Sequence, residues 1–270
     1  MAALFDSYKR IVPTWLAVAR HLQLAGRTGR NLVLEIPQPG VMQRSDLAIL
    51  RRVDAQIVAQ GKGLSIDTVA GTIFPQGLYD RRHSPDFYQE YWRLLDRAKK
   101  PRTWGQYFER MTRRRAPDGT IVNPLEDVIG KLKRAVTSGT SIYQSTYELS
   151  PSDPAQDIDP VEEDGAELAT YDPVRDRNRP YGGPCLSHLS FKITDRHVLD
   201  LTAIYRSHHY CERALGNLVG LARLQKYVAH QANLVQGVLT CISTHAELDL
   251  GSWGGAMQGR TLLGSLQSRK

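Results

Sequence analysis

The segment from Leu186 to Ser243 constrains the fold more than any other part of the chain. Leu186–Ile193 and Val198–Tyr205 each alternate polar and apolar residues, and Thr194-Asp195-Arg196-His197 joins them. A period of two reads as half-buried strand, and four polar residues between two such runs read as a hairpin turn. Residues 212–236 then place Leu215, Leu218, Val219, Ala222, Val228 and Leu234-Val235 at helical spacing, with Gly237 as the expected stop. Val238–Ser243 has the β-branched content of a buried strand. Two strands, a long apolar helix and a further strand predict a sheet with the helix laid on one face.

The rest of the chain supplies further elements of both kinds. Helical spacing is expected over residues 5–24, 45–60, 85–98 and 123–136, and strands over Asn31–Pro37 and Ser141–Leu149. Strands interspersed with helices predict an α+β class with a mixed β-sheet and flanking helices. Residues 150–183 differ, holding five prolines and nine carboxylates, and are expected as an acidic, Pro-rich surface insertion. Residues 251–270 carry five glycines and are expected as a weakly ordered tail. A single domain over residues 1–250 follows.

Composition narrows the function classes. Lys and Arg number 35 against 28 Asp and Glu, a formal charge of +7 that favours small anionic ligands without choosing among them. Three scattered cysteines cannot build a disulfide framework or a Cys-rich zinc site. No apolar run reaches the ~20 residues that cross a bilayer. The first residues lack the order of a secretion signal, so a cytoplasmic protein without membrane contact is expected. The basic run Arg110–Arg115 lacks interleaved aromatics, so nucleic acid is not an expected partner. His208 and His209 are neighbours and cannot both face one metal from a strand, and no metal is expected.

Chemistry concentrates around Cys185. It follows Gly182-Gly183-Pro184, at the junction between the irregular segment and a strand. Tyr205-Arg206-Ser207 ends the paired strand, so antiparallel pairing brings Arg206 to the sheet end that carries Cys185. A nearby guanidinium favours the thiolate, the nucleophilic form. Arg206 with Ser207 can also clasp a phosphate. A Cys–His hydrolase, with Cys185 activated by His209 or His245, is a weaker alternative.

These residues, in this order, resemble thymidylate synthase and the related pyrimidine hydroxymethylases. The resemblance rests on Pro184-Cys185, on Arg206-Ser207 twenty-one residues later, and on Asn217 eleven beyond that. It extends to Ser243-Thr244-His245-Ala246-Glu247, to Arg27-Thr28-Gly29 and to Trp104-Gly105-Gln106-Tyr107. It implies a thymidylate-synthase-like fold with sheet-on-sheet homodimers, and a C5 one-carbon transfer, as methyl or hydroxymethyl, to a pyrimidine nucleotide or nucleoside. Cys185 would add to C6 of the ring, with Arg206, Tyr107 and Asp67 as the other catalytic residues. Arg27, Ser207, Asn217, His245, Glu247 and His209 would bind substrate, and 5,10-methylenetetrahydrofolate would supply the carbon. Asn217 leans the site toward uracil, because the cytosine-using hydroxymethylases carry Asp there.

Departures from the family are equally specific. The arginine pair that crosses the family's dimer to the phosphate would fall near Ser141-Ile142-Tyr143 and is missing. Its loss would weaken phosphate binding by ~2–5 kcal/mol. The pterin-anchoring Asp is His209, and the sugar-binding Tyr is Glu247. Asp67 is the nearest carboxylate to the family's catalytic Glu. Nucleophile and own-subunit ligands are kept while folate and partner-subunit ligands are lost. That pattern suggests a changed ring substrate used without folate in a specialised pathway, or a relative that binds a ligand without turning it over.

Overall fold

A computed structural model describes residues 2–61, 63–82, 86–98, 106–116, 118–137 and 184–267, together with the backbone of 168–169. The expected strand over Ser141–Leu149 and nearly all of the expected acidic insertion lie outside these residues.

The architecture is α+β. A mixed sheet runs in the order β1 (Ala3–Phe5), β2 (Thr28–Ile36), β9 (Val235–Glu247), β7 (Val198–Tyr205), β6 (Leu186–Thr194) and β5 (Leu168–Ala169), with β8 (His208–His209) also paired to β9. β2 and β9 are antiparallel, β9 and β7 parallel, and β7 and β6 antiparallel. A second, two-stranded sheet joins β3 (Arg114–Arg115) to β4 (Ile121–Val122). The helices are α1 (Ile11–Leu24), α2 (Arg44–Ala59), α3 (Ile66–Ile73), α4 (Gln76–Arg82), α5 (Asp86–Ala98), α6 (Tyr107–Thr112), α7 (Pro124–Thr137), α8 (Ala214–Gln231) and α9 (Ala256–Ser265).

The β6–β7 hairpin forms as expected. Asp195 and Arg196 both adopt positive φ, 50° and 62°, the arrangement that matches the twist of a tight hairpin. α8 is the buried centre of the helical layer, with Leu215, Leu218, Leu221, Leu224 and Val228 in the core. It packs on α3 through Gly216 and Gly220. A Cβ on Gly216 would lie 2.7 Å from Val69 Cβ, and one on Gly220 would lie 2.8 Å from the Ala70 carbonyl oxygen. Two glycines one turn apart thus let α3 approach the α8 backbone.

Three expectations are corrected. The first helix begins at Ile11, and Ala3–Phe5 is instead an edge strand parallel to β2. α8 stops at Gln231, and Asn233, at φ 59°, turns the chain, while Gly237 sits inside β9. There a Cβ would meet Asp200 and Val198 side chains, beside an irregularity in the β7–β9 pairing. The third correction concerns the end of the chain. Leu250–Trp253 forms a 3-10 turn and α9 follows, with Trp253, Leu263 and Leu266 buried. Trp253 meets Trp15 edge-on at 6.1 Å, and its carbonyl accepts a hydrogen bond from Gln56 at 2.7 Å. Glycine content suggested weak order, but these apolar anchors hold the segment to α1 and α2.

The basic run is also largely committed within the protein. Arg110 is buried, Arg113 pairs with Asp96 at 2.8 Å and lies over Trp92, and Arg115 donates to the Gly119 carbonyl. Among the described residues no helix is long and apolar enough to cross a membrane.

Candidate active site

Cys185 sits one residue before β6, where its backbone is fixed from three directions. Its N–H and that of Leu186 both donate to the Tyr107 hydroxyl, at 3.0 and 3.2 Å. Its carbonyl accepts from the Arg206 N–H at 2.8 Å. The Arg206 guanidinium donates to the Pro184 carbonyl at 2.7 Å. The register explains this meeting: Leu186 pairs with Tyr205, so the next residue on each strand end faces the other. Pro184-Cys185 is therefore held as a rigid turn with the half-buried thiol at its apex.

Electrostatics at the sulfur divide in two directions. Burial pushes the Cys185 thiol up, and the Arg206 and Arg213 guanidinium groups oppose that shift without cancelling it. The sequence suggested a thiol tuned downward by Arg206. The cation does act in that direction, but desolvation outweighs it. Burial also pushes the Tyr107 hydroxyl up to about 12, so it is a neutral phenol near pH 7.

Arg213 was not among the expected site residues. It caps the start of α8, four residues before Asn217, and pairs with Glu212 at 2.9 Å. Positions i and i+4 share a helix face, and that spacing was a signal available in the sequence.

Asn217 is buried in the first turn of α8. Its Nδ2 lies 3.2 Å from His208 Nε2, and His208 Nδ1 lies 2.9 Å from Ser243 Oγ. The His208 ring stacks on Tyr205 with centroids 4.0 Å apart and planes 2° from parallel. Burial pushes the His208 imidazole down to about 3. Ser207 is half-buried in the break between β7 and β8, where Thr244 Oγ1 donates to the Arg206 carbonyl at 3.1 Å.

Arg27, His209, His245 and Glu247 lie around the end of β9 and its neighbours β2 and β8. Glu247 on β9 lies between Thr28 of β2 and His209 of β8, and His245 pairs with Arg30. A cavity of about 460 Å³ is lined by Arg27, Thr28, Glu247, Asp249 and Ser252. His209 is exposed, and its ring nitrogen falls within 4.8 Å of carboxylate oxygens of Glu212 and Asp249. The linear spacing gave no hint of this meeting, because β8 and the end of β9 bring the residues together only in space. Both carboxylates already have partners: Asp249 accepts from Cys211 N–H and Ser252 Oγ, each at 2.8 Å, and Glu212 holds Arg213. Asp67 stands elsewhere. It is in the first turn of α3, 82% exposed, and pairs with Arg223 at 2.8 Å. Of the Trp104–Tyr107 stretch only Gln106 and Tyr107 are described.

No family model matches the chain. It is similar to archaeal proteins named "Putative thymidylate synthase". Those of Methanococcoides burtonii and Methanosarcina mazei are each 37% identical over 70 residues, 26% of this chain and 32% of the relative. That of Methanosarcina barkeri is 36% identical over the same length. The chain thus spans about a third of the length of the curated relatives it matches, and over that stretch it is thymidylate-synthase-like.

Proposed function

We propose that the protein is a thymidylate-synthase-like one-carbon transferase acting at C5 of a pyrimidine ring in a nucleotide or nucleoside. The observation that carries this reading is the clamped Pro184-Cys185 turn, with Tyr107 on one side and Arg206 on the other. A nucleophile that must reach one ring carbon needs its backbone fixed and its side chain free to reach.

The Cys185 sulfur, as thiolate, forms a bond to ring C6. The electron pair of the C5–C6 double bond moves to C5 and the adjacent carbonyl. Asn217 hydrogen-bonds that edge of the ring and stabilises the developing charge. Arg206 and Arg213 favour the thiolate against the opposing effect of burial. Ser207 and Arg27 take the substrate's anionic group, and His245 and Glu247 take its hydroxyl groups. Tyr107, a neutral phenol, holds the turn and carries a proton near the sulfur. Asp67 has no role in this proposal, since an exposed carboxylate committed to Arg223 is poorly suited to relay protons at the ring.

Methylenetetrahydrofolate would supply the one-carbon unit. The chain lacks the family's pterin-anchoring Asp, but the donor set offers a substitute. Glu212 and Asp249 stand beside His209, and their bonds to Arg213, Cys211 and Ser252 leave lone pairs on each carboxylate for the N–H donors of a pterin. A homodimer with self-contained sites, in the cytoplasm, completes the reading.

The test is intact mass after incubation with 5-fluoropyrimidine nucleotides and nucleosides, with and without methylenetetrahydrofolate. A covalent adduct on Cys185 is expected. A folate-dependent adduct assigns the donor, and an adduct formed equally without it points to a ring chemistry that does not use folate. Complete absence of adduct in every arm would sink the proposal in favour of a non-catalytic ligand-binding relative.

A further inference from the structure

We infer that His208 is a positioning residue that fixes the orientation of the Asn217 amide, and so decides which ring edge Asn217 can read. The inference rests on Asn217 facing the ligand as proposed above. It begins from an arrangement of three buried groups: Ser243 Oγ, the His208 ring and Asn217 Nδ2 in one line, at 2.9 and 3.2 Å.

Donors and acceptors decide the tautomer of His208. An amide nitrogen only donates, so the imidazole nitrogen that faces it must accept. His208 Nε2 therefore carries a lone pair, and its proton resides on Nδ1, directed to Ser243 Oγ. A second proton on Nε2 would set donor against donor in a site closed to water, so the ring stays neutral. The serine hydroxyl can accept, so it accommodates this tautomer without strain. The ring cannot rotate away, because it lies flat on Tyr205 and edge-on to Tyr210 at 5.3 Å.

The consequence falls on Asn217. One amide hydrogen is committed to His208, so the amide cannot exchange its oxygen and nitrogen by a half turn without losing that bond. The ligand is left with the second amide hydrogen and the carbonyl oxygen, one donor beside one acceptor. That pair complements a ring edge presenting C=O next to N–H, as uracil does. A cytosine-like edge, with an unprotonated ring nitrogen beside an amino group, matches the same pair only if the amide is turned over. Discrimination is thus assigned to His208 through Asn217. The adjacent His209 is exposed on the other side of β8 and makes no bond to Asn217 or Ser243 in this line.

The test uses the full chain, labelled with 15N, and two variants. His208→Phe keeps a flat ring on Tyr205 but offers no acceptor, and His208→Gln restores an acceptor. In the wild type at pH 7, long-range nitrogen correlation spectra should show His208 as the neutral Nδ1–H tautomer, and the Asn217 side-chain amide hydrogens should exchange slowly. In His208→Phe that protection should be lost, and the ratio of affinities for deoxyuridine and deoxycytidine monophosphates should fall by tenfold or more. His208→Gln should recover most of both. An Nε2–H tautomer, or unchanged amide exchange and an unchanged ratio in His208→Phe, would overturn the inference. Failure of the wild type to bind these nucleotides and the corresponding nucleosides would instead break the proposed function, while the nitrogen spectra and amide exchange would still decide the positioning role. Should His208→Phe not fold, the wild-type spectra and His208→Gln carry the test.

Discussion

Cys185 and Cys241 occupy the same sheet and have opposite environments. Cys241 lies in the middle of β9, between Leu34 of β2 and Ala203 of β7, and no part of it meets solvent. Burial alone pushes its thiol up to about 12. Cys185 lies at a strand end, half-buried, and there two guanidinium groups oppose the burial. Cys211 sides with Cys241, since burial and the neighbouring Asp249 carboxylate both push its thiol up. Composition treats the three thiols alike, and burial and neighbouring charge separate them. A strand interior offers packing, and a strand end offers charges and an approach path.

Cys185→Ala should abolish adduct formation with 5-fluoropyrimidines and remove nearly all iodoacetamide labelling of the native protein. Its circular dichroism spectrum should match the wild type. Labelling that persists at Cys211 or Cys241, measured by peptide mass, would show that burial does not separate the thiols as described.

Tyr107→Phe comes next. Its hydroxyl accepts from two N–H groups beside the nucleophile, and removing it leaves both without that acceptor. At about 1–3 kcal/mol for an unsatisfied buried donor, a loss of ~2–4 kcal/mol in urea unfolding is expected. Adduct formation should slow by roughly tenfold to a hundredfold as the turn loosens, since small misplacements of a reacting group are costly. An unchanged adduct rate would show that the β6–β7 register and Arg206 hold the turn unaided.

The pH dependence sharpens the electrostatic half of the comparison. Because the folded thiol is raised, Cys185 is mostly protonated near neutrality. Its alkylation rate should climb with pH through and beyond the ordinary thiol range. Arg213→Ala removes one of the two opposing cations, so the midpoint should move further up and the rate at pH 8 should fall a few-fold. Arg206→Ala should do the same and also cost stability through the Pro184 carbonyl. A downward shift in either variant would refute the assigned direction.

Much of this site was legible before folding, for a definite reason. A four-residue connection leaves a hairpin almost no freedom of register, so Cys185 and Arg206 had to meet once the two runs were read as strands. Asn217 was placed by resemblance, eleven residues after Arg206, and the structure buries it in the first turn of α8. What could not be read depends on the third dimension. Nothing in the linear order says that β8 places His208 under Asn217 and beside Ser243, 35 residues away. Tyr107 was expected near the chemistry by resemblance, but its role as acceptor for two N–H groups depends on where α6 docks. Asp67 was placed by resemblance too, and the structure commits it to Arg223. The tail misled because glycine counts record backbone freedom and ignore the few apolar anchors that restrain it. Trp253, Leu263 and Leu266 are enough.

Cys241→Ala removes one sulfur from a packed strand interior that touches no proposed ligand. The cost should be on the order of 1 kcal/mol in urea unfolding, the scale of a small deletion in a core. Adduct formation and the pH profile of Cys185 should not move. Cys241 does lie near the site in one respect, since it neighbours Tyr205 and Tyr210, the two rings that confine His208. Both hydroxyls are neutral phenols in a buried site, and exchanging a neutral thiol for a methyl group changes no charge beside them. Adduct chemistry altered by Cys241→Ala, with stability intact, would therefore show that the stacked Tyr205–His208 pair transmits packing changes from the sheet interior to Asn217. Cys241 would then no longer be the inert counterpart of Cys185.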